Sequence, residues 1–292
     1  MSHSQQPQQP APPQPPVSVP EPRTADGRAG LAALLAAPRG ALIGLDFDGT
    51  LSPIVPDPAA ARAHPGAPAA LRGLAPQVGT LAVITGRPAL DAVRYGGLEQ
   101  VPGIIVLGHY GRQRWQDGSL TSPPAPPGLA AARERLPDVL AAADAPEGTW
   151  VEEKGEAVAV HTRRAAQPQQ ALERLRAPLT ELAERTGLVA EPGRLVIELR
   201  PPGSDKGQAL KELVSARGAS AVLFCGDDLG DRPAFHAVRE LRAAGIAGVT
   251  VCSGSAEVAG LADEADLVVD GPDGVVGLLE YLRAVLARRA PG

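Results

Sequence analysis

Two carboxylates, Asp46 and Asp48, stand one residue apart directly after the unbroken apolar run ALIGL at 41–45. A run without polar alternation suits a strand buried on both faces, as in a parallel sheet covered by helices. Acids at the exit of such a strand are costly to bury unless they are paired or ligate something. Gly49 follows and lets the backbone turn tightly. Ligands of open α/β sheets bind at the carboxyl ends of strands. Residues 41–51 therefore suggest both a fold class and the place of a site.

Similar runs recur at 80–85, 103–108, 220–228, 248–254 and 265–271. Helix-period stretches separate many of them. Ala209, Leu210, Leu213 and Val214 share one face, as do Val275, Val276, Leu279, Leu282 and Val285. Strands alternating with helices predict an α/β fold with a doubly wound parallel-sheet core. The middle of the chain differs. A polar, Pro-rich stretch at 113–127 marks a crossing, and a helical stretch follows near 128–143. Two alternating strands, 156–163 and 194–200, flank a helix at 168–186. This reads as an α+β cap domain inserted at 114–198, with the core made of 29–113 and 199–292. Residues 1–28, dominated by Pro and Gln, read as a disordered tail.

Composition narrows the function. The net charge of −5 and the absence of a Lys/Arg-rich run argue against nucleic acid as a partner. No apolar run reaches the ~18 residues of a membrane span, and no signal peptide is visible, so a cytoplasmic location is expected. Cys225 and Cys252 form neither a disulfide framework nor a zinc spacing, and they read as buried thiols.

Three further groups stand at predicted strand ends or helix starts. Asp227, Asp228 and Asp231 follow the strand that ends at Gly226. Carboxylates from two strands suit a hard cation, and Mg²⁺ with retained waters suits a phosphate substrate. One of the three acids also fits an ordinary helix N-terminal cluster. Thr85-Gly86-Arg87 offers a hydroxyl and backbone N–H groups to a phosphate oxygen. Lys206 opens a helix, against the dipole preference, which a bound anion explains. The chain holds only three lysines (Lys154, Lys206 and Lys211), so its placement is informative. A nucleophile, an acid/base, a cation site, a hydroxyl and an ammonium together suit phosphoryl transfer.

In order along the chain, DFDGTL (46–51), TGR (85–87), Lys206-Gly207 and GDDLGD (226–231) resemble the four motifs of the haloacid dehalogenase superfamily. The resemblance implies a Rossmann-like core, Asp46 as nucleophile and Asp48 as general acid/base. It implies Mg²⁺ held by Asp46, the backbone carbonyl of Asp48, and Asp227, with Asp228 and Asp231 in support. Thr85, Gly86 and Lys206 would hold the phosphate. Glu152-Glu153-Lys154-Gly155, Ala159-Val160-His161 with Arg163, and Glu198-Leu199-Arg200-Pro201 resemble the cap patterns of trehalose-6-phosphate phosphatases. By that resemblance Glu152, Lys154 and Glu198 bind sugar hydroxyls, the substrate is trehalose 6-phosphate, and function is coupled to a trehalose-phosphate synthase. The departures are Thr85 for Ser, the His109-Tyr110 order, and Gly230 and Arg232 in the last motif.

Other readings stand beside this one. The core motifs equally fit a phosphatase for another sugar phosphate, such as sucrose phosphate or a mannosyl phosphoglycerate. A non-catalytic sugar-phosphate sensor is a third reading, though such relatives usually lose the nucleophile or the metal acids. The acidic cap face also fits a salt-bridged surface, and His161 fits packing as well as ligand contact.

Overall fold

A computed structural model describes residues 21–124, 127–203, 205–254 and 259–289. The core begins with α1 (Ala25–Ala36), β1 (Ala41–Leu45), α2 (Ala67–Leu74), β2 (Thr80–Ile84), α3 (Ala89–Gly96) and β3 (Ile105–Gly108). A hairpin of β4 (Gln113–Gln116) and β5 (Ser119–Thr121) follows. The insert holds α4 (Pro127–Ala142), β6 (Trp150–Glu153), β7 (Val158–His161), α5 (Pro168–Arg185), β8 (Val189–Gly193) and β9 (Val196–Arg200). The core resumes with α6 (Lys206–Arg217), β10 (Ala221–Gly226), α7 (Arg232–Ala243) and β11 (Ala247–Gly254). It ends with α8 (Ala259–Ala262), β12 (Leu267–Asp270) and α9 (Gly271–Arg289).

The core sheet has the order β12-β11-β10-β1-β2-β3-β4-β5. Strands β12 through β3 pair in parallel, and β3-β4-β5 in antiparallel. Every residue of β1, β2 and β10 is buried, as continuous apolar runs require. The period of two divides β1 between two cores. Ile43 and Leu45 pack with Leu34, Leu71 and Leu278. Leu42 packs on the other face with Leu210, Leu213, Phe224 and Phe235. From β1 the chain winds one way to β2 and β3, then returns to the other side of β1 with β10. This reversal puts the ends of β1 and β10 side by side, where the open α/β fold leaves a crevice.

The cap sheet has the order β6-β7-β9-β8, all antiparallel. Val158, Val160, Ile197 and Leu199 pack beneath α4 and α5. Alternation therefore leaves Trp150, Glu152, Ala159, His161, Glu198 and Arg200 on the opposite face. That face meets the core: Arg200 lies over the Tyr110 ring at 4.8 Å, and Arg112 pairs with Glu156 at 3.0 Å.

Three expected boundaries shift. Residues 113–121 belong to the core sheet, so the insert begins after them and not at 114. The hairpin is polar or exposed over most of its length, and only its pairing to β3 shows where it belongs. The insert's sheet also runs to Arg200, two residues past the expected end. At the N-terminus, order begins before residue 29. Thr24 caps α1 by accepting the Gly27 N–H at 2.9 Å. Gly27 packs on Asp266 and Gly30 on the Gly248 carbonyl so closely that a Cβ has no room at either. The rest of the expected tail, residues 1–20, lies outside the described residues. Among the described residues, no helix is long and apolar enough to cross a membrane.

Candidate active site

Pairing of β1 with β10 sets Leu45 opposite Cys225, and the Asp46 N–H donates to the Cys225 carbonyl at 2.9 Å. Asp46 and Asp227 thus leave neighbouring strands at the same level. Lys206, at the first turn of α6, reaches between Asp46 and Asp231. Its Nζ lies 2.7 Å from Asp46 Oδ1 and 2.7 Å from Asp231 Oδ1. The second oxygen of Asp231 accepts the Asp227 N–H at 3.0 Å and the Asp228 N–H at 3.3 Å. Asp46, Asp227, Asp231 and Lys206 are all buried.

The charges explain how the cluster is poised. Burial opposes the Lys206 charge, but Asp231 and Asp46 outweigh it and hold its pKa well above the ordinary value. Burial pushes the Asp46 carboxyl upward against the pull of Lys206, with repulsion from Asp231 and Asp48 adding to it. Asp227 is pushed up to about 10 by burial, then by Asp46 and Asp231. One ammonium does not balance three buried carboxylates. Asp46, Asp227 and Asp231 offer oxygens all within 4.8 Å of one another, and this surplus of negative oxygen donors fits a hard divalent cation. Since Asp231 is already engaged at both oxygens, Asp46 and Asp227 are the better direct ligands.

For Asp228, expected in a metal-supporting role, the structure shows a capping position. It is exposed, and its Oδ1 accepts the Gly230 N–H at 2.8 Å. It caps the turn at 229–231, so the helix-terminal reading holds for this acid. Gly49 has φ 75°, and a Cβ there would fall 2.0 Å from Asp227 Oδ2. Ser253 Oγ donates to the Gly49 carbonyl at 2.7 Å and pins the turn.

Asp48 is partly exposed and meets Arg87 through two bonds of 2.6 Å, from Nε to Oδ2 and from Nη2 to Oδ1. This fork fixes the Asp48 rotamer. Arg87 itself is held by the Pro58 carbonyl at 2.8 Å and by the Phe47 and Tyr95 rings. The sequence marked Arg87 only as part of a motif; a guanidinium following a strand-end Thr-Gly was the available signal. Thr85 is buried at the end of β2, with its Oγ1 accepting the Arg87 N–H at 3.2 Å. Gly86 lies against Tyr110, where a Cβ would come within 2.7 Å of the phenol oxygen.

In the cap, Glu152 stands opposite Ala159, and Ala159 opposite Glu198, so the two acids flank a small residue on one sheet face. Lys154 follows β6, and its Nζ reaches Glu198 Oε2 at 2.6 Å. The structure therefore brings Lys154 and Glu198 together, with Glu152 on the same face. Glu152 Oε2 lies 2.8 Å from His161 Nε2, a bond that lowers the Glu152 pKa despite burial. His161 in turn stacks on Trp150 at 4.5 Å, which in turn carries Arg164 at 4.4 Å. His161 thus holds Glu152 in place. The sequence left that role open because the partner is on a different strand.

A doubly wound core with acids at its switch point and an inserted cap defines the haloacid dehalogenase-like class. A haloacid dehalogenase-like hydrolase from Bacteroides thetaiotaomicron has this fold, with TM-score 0.55, 17% identity, and coverage of 82% of this chain and 98% of that one. The Candida albicans trehalose-6-phosphate phosphatase C-terminal domain matches with TM-score 0.72 and 22% identity, over 91% of this chain and 99% of that one. The trehalose-phosphatase family model matches residues 44–267. The chain belongs to the trehalose-phosphatase family. A trehalose-phosphate phosphatase of Mycobacterium avium (strain 104) is 39% identical over 226 residues, covering 74% of this chain. The match covers 54% of that protein, so the chain spans about half the length of this curated relative.

Proposed function

We propose that the chain is a Mg²⁺-dependent hydrolase that converts trehalose 6-phosphate to trehalose and phosphate. The observation that carries this reading is the stacking of two unlike surfaces. The Asp46–Lys206–Asp227 cluster lies at the core switch point, and the Glu152–Ala159–Glu198 face of the cap meets the core beside it. One suits a phosphate, and the other suits neutral hydroxyls, which carboxylates and ammonium groups hold through charge-assisted bonds.

Asp46 attacks phosphorus and forms an aspartyl-phosphate while the bond from phosphorus to the sugar oxygen breaks. Asp48 gives the departing oxygen a proton. It then takes a proton from water, which attacks phosphorus and releases phosphate and free Asp46. Arg87 holds Asp48 in one rotamer before the substrate arrives and must release one of its oxygens for Asp48 to carry that proton. Lys206, with Thr85 and Gly86, receives the phosphate oxygens. Asp46, the Asp48 carbonyl and Asp227 are the groups that would hold Mg²⁺, whose role is to offset charge on the transferring group. Asp231 holds Lys206 and the Asp227 backbone in position. Glu152, Lys154 and Glu198 orient the sugar. Free, buried Cys225 and Cys252 fit a cytoplasmic setting, and a trehalose-phosphate synthase is the functional neighbour that supplies this substrate.

Phosphate release from a panel of trehalose 6-phosphate, sucrose 6-phosphate and mannosyl phosphoglycerate, with and without Mg²⁺, tests the reading. Preference for trehalose 6-phosphate supports it. No release from that substrate in the presence of Mg²⁺ overturns it.

A further inference from the structure

Two guanidiniums meet on one neutral oxygen near the hairpin edge of the core sheet. Arg114 Nη2 donates to Gln116 Oε1 at 2.7 Å, and Arg217 Nη2 donates to the same oxygen at 3.3 Å. Arg114 and Gln116 stand two residues apart on β4 and so share a face. Their partners across the ladder, Leu107 and Ile105, pack with Leu210 and Leu213, so this is the face that α6 covers. Arg217 is the last residue of α6, and that packing carries it to β4. On the outer strand, Thr121 stands opposite Arg114 and Ser119 opposite Gln116, which adds two hydroxyls to the same face. Arg114 is half-buried, and Arg217, Ser119 and Thr121 are exposed, so the patch is open to solvent.

Among the described residues neither guanidinium forms an ion pair with a carboxylate, and Gln116 offers only a dipole. Burial, and then repulsion from Arg217, lower the Arg114 pKa, but both side chains stay protonated. The chain has acids to spare, with 33 Asp and Glu against 28 Lys and Arg. Other surface arginines take them. Arg133 meets Glu153 at 2.7 Å, Arg176 meets Glu173 at 2.8 Å, and Arg239 meets Glu264 at 2.8 Å. The end of α6 explains Arg217 by itself, since a cation suits the negative end of the helix dipole. It does not explain a second cation brought beside it from another element. A guanidinium has five N–H donors, and each of these two spends one on Gln116. The donors that remain match an anion with several oxygens. A phosphate group carries close to two negative charges and three acceptor oxygens, enough for two planar forks at once.

We propose that Arg114 and Arg217, with Gln116, Ser119 and Thr121 around them, form a second anion site that binds a phosphate group and takes no part in the chemistry. Lys206 and Arg217 stand at opposite ends of α6, about 16 Å apart along its axis, so one phosphate does not reach both. The ligand is inorganic phosphate or the phosphate of a small monoester, and the guanidiniums recognise what the two share.

The test is calorimetric titration of the full chain with inorganic phosphate and with glucose 6-phosphate, in EDTA and at fixed ionic strength. Without a divalent cation the Asp46–Asp227–Asp231 cluster keeps its surplus of carboxylates and disfavours an anion. Wild type should bind one equivalent of phosphate. Arg114→Gln and Arg217→Gln should each weaken binding at least tenfold, and Arg217→Lys should recover only part, because an ammonium lacks the fork. Tighter binding of glucose 6-phosphate supports the site as one for monoesters; equal or weaker binding supports it as one for free phosphate. No binding by wild type, or equal binding by wild type and the double Gln variant, overturns the proposal. So does a wild-type signal that chloride reproduces at the same ionic strength, which is screening alone. Phosphate release from the preferred substrate of the panel should change less than twofold in the same variants. A loss that matches the loss of binding places the measured phosphate in the active site and overturns the second site. If the double variant fails to fold, Arg217→Gln decides, since that side chain is exposed.

Discussion

Lys206 shows how much rests on one side chain. Its ammonium neutralises part of a cluster that otherwise holds only carboxylates, and it bridges Asp46 to Asp231. Asp46→Asn removes the nucleophile, and phosphate release should fall about a thousandfold or more with the thermal melt little changed. Retained turnover would remove Asp46 from that role. Gly49 makes a second prediction. Gly49→Ala needs a Cβ inside the Asp227 carboxylate and a side chain at φ 75°, so the turn must move. A displacement of this kind costs about a hundredfold in rate. The expected result is a loss of that order in kcat, with a raised Mg²⁺ requirement; an unchanged Mg²⁺ titration would refute the close contact. At this scale the sequence showed most of the candidate acids, because each stands in a strand or within five residues of a strand end. It did not show the Arg87–Asp48 fork or the His161–Glu152 bond. Charged side chains choose partners by packing, which no local pattern records.

Among the elements, the least legible were those with little apolar periodicity. Strand β5 is exposed at every residue, and β8 is exposed or half-buried throughout, so neither carries the pattern of a buried strand. The start of α1 was hidden for a related reason. Its anchor is a polar network around Asp266, which accepts bonds from Thr24, Thr250 and Arg242. Burial raises the pKa of this carboxyl, but bonds from Arg242, Thr24 and Thr250 outweigh it and bring it below the usual value. A depressed folded pKa gives stability that is present above the unfolded value of about 3.9 and lost as pH falls through the folded one. Asp266→Asn should therefore lower stability by about 3 kcal/mol at neutral pH. The difference from wild type should shrink in acid, as read by denaturant melts at pH 7 and pH 3. Deleting residues 1–20 spares this network, whereas deleting 1–28 removes Thr24 and the first turn of α1. Only the longer truncation should lower the melting temperature; equal melts would remove α1 from the stability of the core.

For the whole molecule, the arrangement of cap and core is the decisive feature. Besides the Arg112–Glu156 pair, Arg163 of the cap reaches the Val55 and Pro56 carbonyls of the core at 3.4 Å. These contacts are polar and few, as suits surfaces that part to admit substrate. Closure over the site, with Pro201-Pro202-Gly203 as one hinge, predicts a smaller radius of gyration with Mg²⁺ and a phosphate analogue than without. The other hinge would fall in the Pro-rich crossing at 113–127, of which residues 125 and 126 lie outside the described residues. Identical scattering profiles would refute the closure. Mg²⁺ should also raise the melting temperature, and more at pH 8 than at pH 5. Asp227, pushed up to about 10 in the metal-free cluster, must give up its proton to ligate. Equal shifts at the two pH values would count against Asp227 as a ligand.

The sequence by itself determined the parallel strands of the core, the acids at their ends and the presence of an insert. Each of these is written in a short window, as an apolar run, a turn or a change of period. Tertiary structure alone decided that Lys206 joins Asp46 to Asp231 and that β4 and β5 extend the core sheet. Those outcomes depend on which distant surfaces pack together. The partner of a buried charge exists only after that packing has excluded water.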